Sequence, residues 1–160
     1  MKSDLFEKEL NYIKNNDIKE SAVYLVNLLP DYFFEIPASS TGKYHPASST
    51  GVGGLLRHTK ALVKIANSLL ENEIIGAAYT SDEKDLIYVA GMLHDGLKNG
   101  KEHSRYTLYD HPLQAVNFIQ ENKEFLKISE EYIYLLCNMI ASHMGPWNKD
   151  YNGNEILPLP

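Results

Sequence analysis

Helical spacing dominates the apolar pattern of this chain, and strand-like alternation is scarce. A first helix is predicted over residues 3–15, from Asp4-Leu5-Phe6 to Tyr12-Ile13. Asp17 is the expected N-cap of a second, with Ala22, Val23, Leu25, Val26 and Leu29 apolar and Pro30 as its stop. Residues 31–53 break the pattern, with Pro37, Gly42, Pro46, Gly51 and Gly53 set among serines and threonines. A stretch this long is either a functional loop or disordered chain. Residues 54–70 read as a strongly amphipathic helix, with Leu55, Leu62, Ile65, Ala66 and Leu69 on one face. Another helix is expected over 82–96, with a Thr80/Glu83 capping box and Leu86, Ala90 and Leu93 along one stripe. A polar loop, 96–109, follows it. A helix over 110–122 is expected next, capped by Asp110 and carrying Pro112 in its first turn, where proline is tolerated. The last helix covers 129–144, with Ser129 as cap, Glu130 and Glu131 at its positive end and Gly145-Pro146 as its stop. The tail, 146–160, is predicted to be irregular. The sum is an all-α bundle in a single domain spanning 1–160.

Composition narrows this only a little. The chain has 160 residues, 44% hydrophobic and 22% charged, which is ordinary for a globular domain. A chain of this size buries roughly 70% of its unfolded surface and needs no disulfide or metal staple to fold. No apolar run reaches the roughly 20 residues of a membrane span, so no membrane partner is expected. Met1 to Glu7 lacks the apolar core of a secretory signal, and one cysteine, Cys137, cannot form an internal disulfide. Both point to the cytoplasm. The net charge of −6 argues against a broad DNA-coating surface and leaves room for a local basic pocket.

The histidines change the picture. The six are His45, His58, His94, His103, His111 and His143. His58 shares the stripe of Leu55, Leu62 and Ile65; His94 follows Leu86 and Ala90; His143 continues Leu136 and Ile140. Each is expected on the apolar side of a different helix. Burying several imidazoles leaves ring nitrogens unsatisfied unless they share a purpose, and a common metal ion supplies one. Asp95 directly follows His94 at the end of the apolar run Leu86 to Leu93. A carboxylate there is costly to bury unless it meets a cation. By the same reasoning, removing it is expected to relieve an interior charge.

Four segments resemble the HD-domain metal-dependent phosphohydrolase superfamily. They are Gly53-Gly54-Leu55-Leu56-Arg57-His58-Thr59, Ala90-Gly91-Met92-Leu93-His94-Asp95-Gly96-Leu97-Lys98, Asp110-His111-Pro112 and Ala141-Ser142-His143-Met144-Gly145. The resemblance covers about residues 37–145. The element with Phe34, Pro37-Ala38 and Tyr44-His45 looks most like the HD-domain 3′-5′ exoribonucleases, and small stand-alone HD proteins of bacteria and phages are also similar. The fold implied is the HD helical bundle: residues 1–30 as N-terminal helices, 31–53 as a substrate-side loop and 54–145 as the metal-binding core.

The resemblance implies one or two divalent metal ions (Mn, Fe, Zn or Mg). His58, His94 and Asp95 would hold one, and Asp95 would bridge to a second held by His111 and His143. It implies hydrolysis of a phosphoester of a nucleotide or nucleic-acid end through a metal-activated water. Asp95 and Lys98 are the expected catalytic residues, Lys98 meeting charge on the phosphate. Lys43, Arg57 and Arg105 are candidates for substrate phosphate or are surface charge. Tyr44, Tyr106 and Tyr109 are candidates for stacking on a base, or pack as ordinary tyrosines. His45 and His103 are expected to support the site or touch substrate, and Trp147 and Cys137 to be structural. Two departures stand out: Met144 replaces a second histidine common in relatives, and no helix bearing the family's last aspartate follows, Asp150 being the one candidate of that type in the tail, so that either the site lacks one ligand or the polypeptide is truncated just before it. The rival reading is therefore a non-hydrolytic module that binds a nucleotide or a protein. Within the hydrolytic reading, the acidic net charge favours a small nucleotide, and the Pro37-Ala38 to Leu56 element favours a nucleic-acid end.

Overall fold

The computed structural model describes residues 1–39 and 46–160. Lys43, Tyr44 and His45 lie outside the described residues. Six α-helices carry the described chain: α1 (Glu7–Leu10), α2 (Asn16–Leu28), α3 (Gly54–Leu70), α4 (Ser81–Leu93), α5 (His111–Glu121) and α6 (Glu130–Ala141). Short 3-10 turns join them, at Lys2–Phe6, Asp31–Phe34, Ala47–Ser49, Gly76–Ala78, Lys123–Phe125 and Gly145–Trp147. Among the described residues the one β pairing is an isolated antiparallel bridge, Lys149 with Glu155. The fold is all-α, as the periodicity predicts.

Local signals explain most helix ends. Thr80 and Glu83 form the reciprocal capping box of α4, the hydroxyl accepting from Glu83 N at 3.2 Å and the carboxylate from Thr80 N at 2.6 Å. Ser129 caps α6 through Tyr132 N, and Pro112 sits in the first turn of α5. Asp110 precedes α5 without capping it, because its carboxylate accepts from Gln114 Nε2 and Tyr151 Oη instead. At the N-terminus the expected helix over 3–15 is a 3-10 turn and one α turn that stops at Leu10. The cap of α2 is Asn15, not Asp17: its Oδ1 accepts from Asp17 N and Ile18 N.

Helix α4 is central and packs against α2, α3 and α6, while α5 packs on α6. Its Leu86, Tyr88, Val89, Met92 and Leu93 are all buried, as expected for a helix surrounded by others. The inward face of α3 differs from the predicted stripe. Leu55, Thr59, Val63 and Leu70 are buried, whereas Leu62, Ile65 and Leu69 are 38–58% exposed. The two stripes overlap at Leu55, and Gly91 decides between them: a Cβ there would meet Val63 Cγ2 at 3.0 Å. The missing side chain lets α4 approach the Val63 side of α3, the side on which Leu55, Thr59 and Val63 are buried.

The turn between α1 and α2 is tied to α4 by a buried carboxylate. Asp85 Oδ2 accepts from Lys14 N at 3.0 Å and from Asn15 N at 2.8 Å. Burial raises the Asp85 pKa, and those two N–H groups oppose the rise. Asp85→Leu is expected to leave both N–H groups unpaired, at about 1–3 kcal/mol each, as a lower urea midpoint. Asp85→Asn keeps an oxygen for them and should lose far less.

Candidate metal centre

The end of α4 builds the site. His94 is its C-cap, and Asp95 follows in the turn beyond. The Asp95 side chain is buried, with the residue 4% exposed. Around its carboxylate lie Lys98 Nζ at 2.7 Å and His94 Nε2 at 3.4 Å from Oδ2. On the other side His111 Nε2 is 3.0 Å and His143 Nε2 is 3.9 Å from Oδ1. These groups come from the 94–98 turn, the first residue of α5 and the chain just past α6.

Three of the rings are oriented by the same device. Each Nδ1 lies against the carbonyl three residues earlier: His94 to Gly91 at 2.8 Å, His111 to Leu108 at 2.7 Å and His143 to Ile140 at 2.6 Å. A carbonyl only accepts, so each Nδ1 donates its hydrogen there. In a neutral ring that leaves the Nε2 lone pair facing the centre, which is how a metal-binding histidine is held. His111 Nε2 and His143 Nε2 are 3.3 Å apart. Two neutral lone pairs at that separation repel each other, and a cation between them removes the conflict. The donor set therefore fits a divalent metal.

His58, one turn into α3, completes a second group. Its ring centroid lies 5.9 Å from that of His94. Two sets each bring their ligand atoms within 4.8 Å of one another: His58, His94 and Asp95, and Asp95, His111 and His143. Asp95 is common to both. The structure thus brings all five expected ligands together. Asp150 stays apart, its carboxylate turned back onto Asn152 N and Asn154 N.

In the metal-free chain a proton and a divalent cation compete for the same place beside Asp95. Burial alone would raise the Asp95 pKa. With no metal bound, a second proton on the Nε2 of His94 gives that ring a positive charge, which together with hydrogen bonds from the protonated Nε2 of His111 and His94 and the Lys98 ammonium holds the Asp95 pKa well below the ordinary carboxylate range. Burial works against charge on His94, and the Asp95 carboxylate outweighs it, so the His94 pKa is raised. His143 moves the other way, down to about 4, because burial and the charge on His94 both oppose its protonation. His143 is therefore neutral at physiological pH, the form that binds metal.

The expected substrate residues separate into groups. Arg57 points away from a free role: Nε donates to Ser48 O at 2.7 Å, Nη1 to Val52 O at 2.8 Å and Nη2 to Thr50 O at 2.8 Å. It clasps the loop that leads into α3. Arg105 lies over the Tyr106 ring, 5.4 Å from its centroid. Both residues line a cavity of about 370 Å³ with Asn99, His103 and Pro37. Trp147, expected to be structural, is instead 76% exposed. Cys137 is buried, and burial pushes its thiol up to about 11.

Sequence reasoning missed Tyr32. Its buried hydroxyl donates to Gly100 O at 2.8 Å and accepts from Asn99 N at 3.2 Å. Its ring stacks on His103, with centroids 4.5 Å apart. Burial raises its pKa to about 12, the Asn99 N–H opposes this, and the Asp95 charge adds to it. Tyr32 thus pins the loop that carries Lys98, Asn99 and Arg105. Nothing in the helical pattern marks it, because its partners are backbone groups far along the chain. Tyr32→Phe is expected to orphan a buried N–H and a carbonyl and cost about 1–3 kcal/mol in urea unfolding.

The sequence profile of the HD domain matches residues 55–159. The 3′-5′ exoribonuclease YhaM of Geobacillus sp. (strain WCH70) is 30% identical over 155 residues, which cover 90% of this chain and 44% of that protein. The chain thus spans less than half the length of this curated relative. No solved structure matches it significantly. The profile covers the candidate ligands from His58 to His143, and the chain belongs to the HD-domain family of metal-dependent phosphohydrolases.

Proposed function

We propose that this chain hydrolyses phosphoester bonds at nucleotide or nucleic-acid ends, with one or two divalent metal ions held by His58, His94, Asp95, His111 and His143. One observation carries the reading: a single buried carboxylate is shared by two three-residue ligand groups. When bound there, divalent ions acidify water and draw charge from phosphoryl oxygens. Asp95 supplies the anionic charge common to both groups. The Nδ1 contacts to Gly91, Leu108 and Ile140 hold three imidazoles in one tautomer, so no ring has to reorient. Lys98 presents a buried ammonium beside Asp95, placed to meet negative charge that grows on the phosphate. Arg105 and Tyr106 offer a cation and a ring in the adjoining loop.

The relative named a 3′-5′ exoribonuclease supports a nucleic-acid end as substrate, and the acidic balance of the chain supports a small one. A short single strand satisfies both. A reducing cytoplasm suits the single buried cysteine. Elemental analysis of the purified chain should find about one or two transition metals per chain. Turnover should then be tested with Mn²⁺, Fe²⁺, Zn²⁺ and Mg²⁺ on 3′-labelled single strands and on nucleoside mono-, di- and triphosphates. A chain that binds metal and turns over neither class is a binding module, and the hydrolytic reading fails.

A further inference from the structure

A cavity of about 830 Å³ opens between the start of α5 and the chain beyond α6. Its size is within the usual range of ligand pockets. Its walls adjoin two metal-group histidines along the chain: Asp110 precedes His111, and Met144 follows His143. Three aromatic rings line it: Tyr109, Trp147 and Tyr151. Tyr109 is 89% exposed and Trp147 76% exposed. Among the described residues neither ring stacks on another ring. Large unstacked rings held at a cavity mouth mark a binding surface, since folding gains little by leaving them in water.

The polar groups of the cavity say which part of a ligand enters. Asp110 Oδ2 accepts from Tyr151 Oη at 3.3 Å, and Oδ1 from Gln114 Nε2 at 3.2 Å. The carboxylate is thereby fixed in the wall. It repels a phosphate and accepts hydrogen bonds from an amino group. Aromatic faces suit a flat ring. Lys149, on the rim, offers a cation to a neighbouring phosphate.

We propose that this cavity is the nucleobase subsite of the reaction above. The phosphoester lies at the Asp95 centre, and the adjacent base stacks on Trp147 and Tyr109 with Asp110 facing an amino edge. The inference rests on the hydrolytic reading only for the identity of the substrate. Stacking is tolerant of sequence, so the subsite takes any base and prefers those with an exocyclic amine.

Trp147 is the one tryptophan in the chain and reports on its own surroundings. The experiment follows its fluorescence in the full chain during titration with AMP and with ribose 5-phosphate, which carries the phosphate without the base. AMP should quench the emission saturably, and ribose 5-phosphate should not. Tyr109→Ala, at a highly exposed position, keeps the reporter and should weaken AMP binding by about 5- to 100-fold. Absence of quenching by AMP overturns the subsite, as does equal quenching by ribose 5-phosphate or an unshifted Tyr109→Ala titration. Quenching without turnover sinks the hydrolytic reading and leaves the subsite standing; turnover without quenching does the reverse.

Discussion

Asp95→Asn is expected to give a folded chain that retains no divalent metal and hydrolyses phosphoesters about 10³-fold or more slowly. Asparagine has the same shape and presents no anion. The four histidines around it are neutral donors when they bind metal, and Asp95 is the sole carboxylate in either ligand group. Neither group holds another residue that can supply the lost charge. Both Asp95→Asn and Asp95→Ala should carry a stability defect, the larger in Asp95→Ala, which also loses the oxygen that accepts from Lys98. At the sequence level, removal of a buried carboxylate looks like relief of an interior charge. The structure reverses that sign, because Lys98 Nζ sits 2.7 Å from Asp95 Oδ2 and both side chains are buried. Breaking such a pair by removing one partner typically costs about 3–5 kcal/mol. Helicity by circular dichroism, metal by elemental analysis and a urea midpoint measured together check the prediction. Full activity in Asp95→Asn would remove Asp95 from the assigned role.

What was legible in the chain depended on how local the physics was. The starts of α4 and α6 rest on contacts within four residues, Thr80 with Glu83 and Ser129 with Tyr132, and these appear in the sequence as patterns. The clustering of His94 and His143 was legible because helical spacing placed them beside Leu86, Leu136 and Ile140, which are buried, whereas the stripe that pointed His58 inward ran through Leu62 and Ile65, which are exposed. The orienting contacts of His94, His111 and His143 are also local, since each Nδ1 meets the carbonyl three residues back. The face of α3 was not legible. Two overlapping stripes are both apolar, and the choice depends on Gly91 of another helix. Arg57 was misleading for a related reason: its guanidinium bonds carbonyls of a loop whose path no pattern describes. Tyr32 and Trp147 failed in opposite directions. Tyr32 works through the backbone of a loop some 67 residues away, and Trp147 stays outside the core that an isolated tryptophan usually joins.

Lys98→Met is expected to keep its metal and lose about 10²–10³ in rate. The ammonium has no lone pair, so it cannot be a ligand. It is a cation that shares Asp95 with whatever cation the centre binds. Methionine keeps the apolar stem in its buried place and removes only the charge. With that competitor gone, Asp95 is at least as available to a divalent ion, and metal content should hold or rise. The metal-free protein should behave oppositely. It keeps a buried carboxylate that has lost its closest counter-charge, so its urea midpoint should fall, and divalent metal should restore more of it than in the parent. The kinetic pattern separates the two roles of the lysine. Charge that meets the phosphate only as the bond breaks lowers kcat with little change in KM, whereas charge that merely holds substrate raises KM. The measurement is therefore kcat and KM with metal saturating, beside metal content on the same preparation. Loss of metal in Lys98→Met, or a change confined to KM, would show that the ammonium organises the site or binds substrate rather than meeting the developing charge.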